Sequence, residues 1–152
     1  MPEKDFYQVS LKIILHNTKG EILLLKAQAG DTYAGYYDLP GGRIDTDEFT
    51  KHFAEIIGRE VREELGDIRY ELNLRPVAVS RHLLPANAAK SRPEIHVLYL
   101  LYEAEYLGGD IHISAEHTGF AWFDLTKEDP AKLLKSGNLE GVKVYLGNRK
   151  AV

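Results

Sequence analysis

Apolar residues dominate Tyr7 to His16 and again Glu21 to Lys26, and the polar turn Asn17-Thr18-Lys19-Gly20 between them predicts a β-hairpin. Ala27 to Tyr36, punctuated by Gly30 and Gly35, reads as a loop. Tyr37-Asp38-Leu39 reads as a short strand ending at the loop Pro40-Gly41-Gly42, where missing side chains allow another group to approach the backbone closely. From Asp45 or Thr46 to Leu65 the spacing becomes helical: Phe53, Ile57, Val61 and Leu65 recur every fourth position, Ile56 lies beside them, and Gly66 is placed to end the helix. Asp45 followed three residues later by Glu48 predicts an N-terminal capping pair.

Beyond the helix, Tyr70 to His82 and Glu94 to Tyr106 read as strands joined by a loop, Leu83 to Pro93, whose tip carries Lys90 and Arg92. Gly108-Gly109-Asp110 turns the chain into a weaker strand, Ile111 to Ser114, and Ala121 to Leu125 is the last strand. Thr126 is the expected cap of a short helix around Pro130 to Lys135, and Asn138 to Leu146 the final helix. Strands outnumber helices and do not alternate with them. The expected architecture is therefore an α+β sandwich, a mixed β-sheet flanked by helices.

Composition narrows the function classes. A chain of 152 residues with 44% apolar content is expected to form one domain, residues 1–152, with its own core. A net charge of −4 argues against a protein that grips nucleic-acid backbone, so no stable nucleic-acid complex is expected. A small anionic substrate can still bind if metal ions supply positive charge. The absence of cysteine rules out disulfides, thiolate zinc sites and cysteine nucleophiles, and fits a reducing compartment. No basic leader with an apolar stretch opens the chain and no apolar run approaches the ~18 residues of a membrane span, so a soluble, cytoplasmic protein without a membrane partner is expected.

The segment richest in chemistry is Arg59-Glu60-Val61-Arg62-Glu63-Glu64-Leu65-Gly66. At about 100° per residue, Glu60, Glu63 and Glu64 fall on one face of a helix and the apolar stripe on another. Such carboxylates repel one another unless cations sit among them. All-oxygen ligands suit hard ions, Mg²⁺ first and Mn²⁺ second. The bland reading of the same face is a solvated acidic surface with pairs such as Glu55 with Arg59 and Arg59 with Glu63.

Taken with Leu39-Pro40-Gly41-Gly42 and Glu48, that segment resembles the Nudix box, G-x5-E-x7-R-E-U-x-E-E-x-G-U with U aliphatic. Gly42 and Glu48 have the right spacing, and Arg59 to Gly66 matches throughout. The closing aliphatic position is Asp67, with Ile68 one place later, and the spacer Phe49 to Gly58 holds ten residues where the pattern has seven. A strict register would put Lys51 in the place of Glu48. If the three extra residues lengthen the helix, Glu48 stays near its expected face, about 4.5 Å further along. The opening hairpin, the glycine loop and Glu116 six places before Trp122 extend the similarity over nearly the whole chain.

The resemblance implies a Nudix-type α/β/α sandwich that hydrolyses a pyrophosphate bond in a nucleoside diphosphate linked to another moiety: a nucleoside triphosphate, ADP-ribose or a nucleotide sugar. It implies Mg²⁺, or Mn²⁺, held by the Gly41 carbonyl and the carboxylates of Glu60, Glu63 and Glu64. Glu60, Glu64 and Glu116 are candidates for the base, with Glu103 or Glu105 as alternatives to Glu116; Arg59 would orient the carboxylates, and Gly42 and Glu48 would support the box. Tyr33, Tyr36 and Tyr37 stand near the glycine loop, where a tyrosine, Tyr37 foremost, could stack on a base, and Arg81, Lys90 and Arg92 could meet phosphates. Many members pair as homodimers, so a homodimer is compatible with the resemblance. The competing reading is a Nudix-fold nucleotide-binding or regulatory module that has lost catalysis, towards which the spacer insertion points.

Overall fold

The computed structural model describes residues 1–150. Seven strands form one mixed sheet: β1 (Tyr7–His16), β2 (Ile22–Ala27), β3 (Tyr37–Asp38), β4 (Gly41–Arg43), β5 (Arg69–Leu84), β6 (Ile95–Gly108) and β7 (His117–Phe123). The order is β3-β2-β1-β6-β5, with β4 paired to β1 and β7 to β2. β1 and β6 are parallel and run together from Tyr7 opposite His96 to His16 opposite Glu105, while the other pairings are antiparallel. The helices are α1 (Phe53–Leu65), the single turn α2 (Pro130–Leu133) and α3 (Ser136–Lys150).

β1 sits in the middle of the sheet, so both of its faces are covered and it reads as a nearly unbroken apolar run. Leu11, Ile13 and Leu15 face α1, where Ile56, Ile57, Val61 and Leu65 close one core. Ile14, with Ile22 and Leu24 of β2, faces the other way onto Val142 and Tyr145 of α3. This is the expected α+β sandwich with helices on both faces.

Several local expectations are corrected. The helix begins at Phe53, not at Asp45 or Thr46; Thr46–Glu48 forms a separate single 3₁₀ turn, and the intervening residues join the two. The glycine loop is a strand, β4, because Gly41 and Gly42 pair with Lys12 and Leu11 of β1. Ile111 to Ser114 forms no strand; Ile111 and Ile113 instead pack on the α1 side of the core, and the His112 N–H donates to the Leu65 carbonyl at 2.9 Å, satisfying a free carbonyl at the helix end. The cap of α2 is Asp129, whose carboxylate accepts from the Ala131 N–H at 3.0 Å, while Thr126 bonds back to Asp124. The last strand and helix also begin earlier than expected, at His117 and Ser136. Gly66 ends α1 as expected, with φ of 83° and its N–H on the Arg62 carbonyl.

Candidate active site

The site is built where β4 lies against the carboxylate face of α1. The Gly41 N–H donates to Glu64 Oε2 at 2.9 Å, tying strand to helix. The two glycines are needed for different reasons. Gly41 has φ of 126°, and a Cβ there would fall 2.0 Å from the Leu11 carbonyl oxygen. Gly42 makes room for a side chain instead: a Cβ would stand 2.5 Å from Glu60 Oε1, so the Glu60 carboxylate rests on the glycine backbone.

Arg59 organises the acids around it. Its Nε and Nη2 donate to the two oxygens of Glu48 at 2.8 and 2.7 Å, a bidentate pair, and its Nη1 stands 3.0 Å from Glu60 and 3.1 Å from Glu63. Glu48 is buried and also accepts from the Asp45 N–H at 2.9 Å, the reciprocal half of the expected capping pair. The hydrogen bonds from Arg59 hold the Glu48 carboxyl below the usual carboxylate range. Glu48 thus reaches Arg59 from a turn of its own, and the extra residues of the spacer are absorbed as a connection that leaves Lys51 exposed.

Glu60 and Glu64 are buried, whereas the Glu63 side chain is 58% exposed. Burial pushes the Glu64 carboxyl up to about 7 against the opposing pull of Lys12 and the Gly41 N–H. Burial likewise raises Glu60, with Arg59 acting against it. Beneath them lies a polar cluster absent from the sequence-based expectations. Lys12 Nζ donates to Asp38 Oδ1 at 3.0 Å and to the Leu39 carbonyl at 3.2 Å, Asn138 Nδ2 donates to the same Asp38 oxygen at 2.8 Å, and His117 Nε2 stands 3.6 Å from Asp38 Oδ2. Burial alone would raise Asp38, but Lys12 and the hydrogen bonds outweigh it and bring the carboxyl down to about 2. The available signal was Lys12 itself, a charge in the middle of an apolar strand.

A cleft of about 620 Å³ opens over this floor, lined by Asp31, Glu64 and Glu116 and by Lys90 and Arg92. It adjoins a smaller hollow of about 370 Å³ lined by Glu60, Glu63 and Ser114, and the two share Gly41, Arg43, Glu64 and Glu116. Several candidate residues are placed elsewhere. Glu103 accepts from the Tyr145 hydroxyl and, with Glu105, lines a separate hollow beside His16. Arg81 is exposed, its guanidinium 3.5 Å from the Tyr7 hydroxyl. Tyr37 packs edge-on against Phe123, Tyr33 is buried with its hydroxyl 2.9 Å from that of Tyr99, and Tyr36 lies under the Lys135 ammonium.

Glu60, Glu64 and Glu116 line the smaller hollow together with the Gly41 backbone, oxygen groups of the kind that hard divalent cations take as ligands. Among the described residues no three carboxylate or imidazole groups stand together as a ready coordination shell. Arg59 draws Glu60 and Glu63 towards itself, and Glu64 turns to Gly41.

Comparison with known proteins places this geometry in context. A model of the NUDIX domain matches residues 6–143. The chain is 26% identical over 110 residues to the nucleoside triphosphatase NudI of Escherichia coli O81 (strain ED1a), covering 72% of this chain and 76% of that protein. Among solved structures it resembles the MutT protein from Methanosarcina mazei Go1, with a TM-score of 0.71 and 24% identity over 99% of each chain. It also resembles a MutT NUDIX hydrolase from Burkholderia pseudomallei, with a TM-score of 0.64 and 26% identity over 91% of this chain and 99% of that one.

Proposed function

We propose, since the chain belongs to the Nudix family of pyrophosphohydrolases, that its cleft hydrolyses a pyrophosphate bond in a nucleotide with the help of Mg²⁺ or Mn²⁺. The observation that carries this reading is the seating of Glu60 and Glu64 against β4 in the smaller hollow that adjoins the cleft, buried and with carboxyl groups raised above the ordinary range. Glu60, Glu64 and the Gly41 backbone would hold the ion, joined by Glu63 once it leaves Arg59, and the ion would supply charge neutralisation on the phosphates and an acidified water. Glu64, if it does not ligate the ion, would take the proton of the attacking water. Glu116, exposed at the junction of both hollows, is the alternative. Arg59 keeps Glu48, Glu60 and Glu63 in position. A nucleoside triphosphate is the substrate favoured by the name of the Escherichia coli relative.

The test is nucleotide-product release from nucleoside triphosphates, ADP-ribose, nucleotide sugars and dinucleoside polyphosphates with Mg²⁺, with Mn²⁺ and with chelator. Cleavage abolished by chelator is expected. Glu64→Gln should cut turnover by roughly 10²- to 10⁴-fold and Glu63→Gln should also reduce it, with the circular dichroism spectrum unchanged. Near-wild-type rates in both variants would remove the assignment.

A further inference from the structure

The lining of the cleft includes basic residues that the box does not account for. The tip of the β5–β6 connection folds on itself: the Asn87 N–H donates to the Arg92 carbonyl at 2.8 Å, the Arg92 N–H returns the bond at 2.9 Å, and the Asn87 side chain accepts from the Lys90 N–H. This small closed loop fixes the backbone from which Lys90 and Arg92 reach the cleft. Arg92 Nη2 donates to the Pro85 carbonyl at 3.0 Å, while its Nε–H is shut off from solvent and has no acceptor. The Pro85 bond braces one edge of the guanidinium, and its Nη1, which makes no hydrogen bond among the described residues, is the donor left for an anion in the cleft. Arg43 lines both hollows, with its Nη1 on the Gln8 side-chain oxygen at 2.9 Å.

We infer that the Asn87–Arg92 tip is a clamp for the terminal phosphate of a nucleoside triphosphate, so that Arg92 and Lys90 select substrates ending in a free phosphate over those ending in a neutral sugar. The inference rests on the hydrolase reading above for the position of the scissile bond at Glu64. A terminal phosphate carries up to two charges and three acceptor oxygens, and it gains from a planar fork with an ammonium beside it. The ribose or hexose of a nucleoside diphosphate sugar carries no charge for these groups to meet. The cleft's volume also suits a single nucleotide.

The experiment compares kcat and KM for ATP and ADP-ribose, with Mg²⁺, in the wild type and in Arg92→Ala, Arg92→Lys and Lys90→Ala. Arg92→Ala should raise KM for ATP by roughly 10- to 100-fold with kcat within about threefold, and leave ADP-ribose within about threefold. Arg92→Lys should recover part of the loss, and Lys90→Ala, at an exposed position, should show a smaller change in the same direction. Equal losses on both substrates, or a wild type that favours ADP-ribose, would overturn the clamp while leaving the hydrolase reading standing. If the wild type cleaves neither of these two, the hydrolase reading is decided by the wider substrate panel above, and the clamp is judged by titration with inorganic tripolyphosphate. Binding weakened about tenfold by Arg92→Ala supports it, and unchanged binding removes it.

Discussion

Arg59 forks onto Glu48 across eleven positions of sequence, with two bonds of 2.8 and 2.7 Å. Because Glu48 sits in a separate turn before α1, the pair forms despite three more spacer residues than the family pattern has. The insertion therefore leaves the carboxylate that supports Arg59 in place, and gives no support to a module that has lost its box.

This relationship sets the first prediction. Glu48→Gln removes the charge that anchors Arg59 and should lower kcat by roughly 10- to 100-fold, since small displacements of positioned groups cost that much. Lys51→Glu should stay within about twofold, because Lys51 is exposed and Glu48 already fills the role. Steady-state kinetics on a nucleoside triphosphate checks both, and a gain of activity in Lys51→Glu would mean that position 51 is the true box position.

Glu64 makes stability depend on pH in the metal-free protein. Its folded carboxyl lies near 7 and its ordinary value is 4.5, so between these the folded state holds a proton that the unfolded chain has released. Stability should then fall as pH rises from about 4.5 to 7, by up to about 3 kcal/mol, and level off above. Glu64→Gln should flatten this slope, and Mg²⁺ added at pH 8 should raise the wild-type melting temperature more than that of the variant. Thermal melts across pH 5 to 8 with and without Mg²⁺ measure it; a wild-type slope that survives the substitution would assign the titration elsewhere.

The adjacent glycines should respond differently to one methyl group. Gly41→Ala meets the Leu11 carbonyl and a disfavoured φ, so a loss on the order of 3 kcal/mol is expected in urea unfolding. Gly42→Ala meets only the end of the Glu60 side chain, which can move. It should cost less than about 1 kcal/mol in stability but lower activity by roughly 10²-fold as the carboxylate is displaced. Matching effects on stability would contradict the separate roles.

The buried pair of Lys12 and Asp38 should be strongly coupled. Asp38→Asn leaves the Lys12 ammonium, 6% exposed, without its counter-charge and should cost about 3–5 kcal/mol. The double variant Lys12→Met, Asp38→Asn should recover much of that loss, because the isolated charge is gone. A double-mutant cycle in urea reads the coupling, and additive losses would show that the two side chains act independently.

What could be read from the chain alone was whatever depends on neighbours a few residues apart. The strands Tyr7 to His16 and Ile22 to Ala27, which pair with each other only at His16 and Ile22, the buried face of α1 and the grouping of Glu60, Glu63 and Glu64 all follow from periods of two or 3.6 residues, which the backbone geometry imposes locally. The resemblance to the box rested on the same short spacings, and the family match over residues 6–143 bears it out. Pairing between distant segments was decided only by the tertiary structure. Gly41 and Gly42 became a strand because β1 offered a partner, and the residues after Glu48 became a connection because Arg59 holds Glu48 outside the helix. Lys12 found Asp38 across 26 positions through the packing of β1 beside β2 and β3. Arg81 and Arg92 look alike in sequence, yet one lies on an exposed strand position beside Tyr7 and the other reaches the cleft from the turned-back tip. Which side of a sheet or loop a charge occupies depends on register and closure, and those are settled by contacts that no local pattern carries.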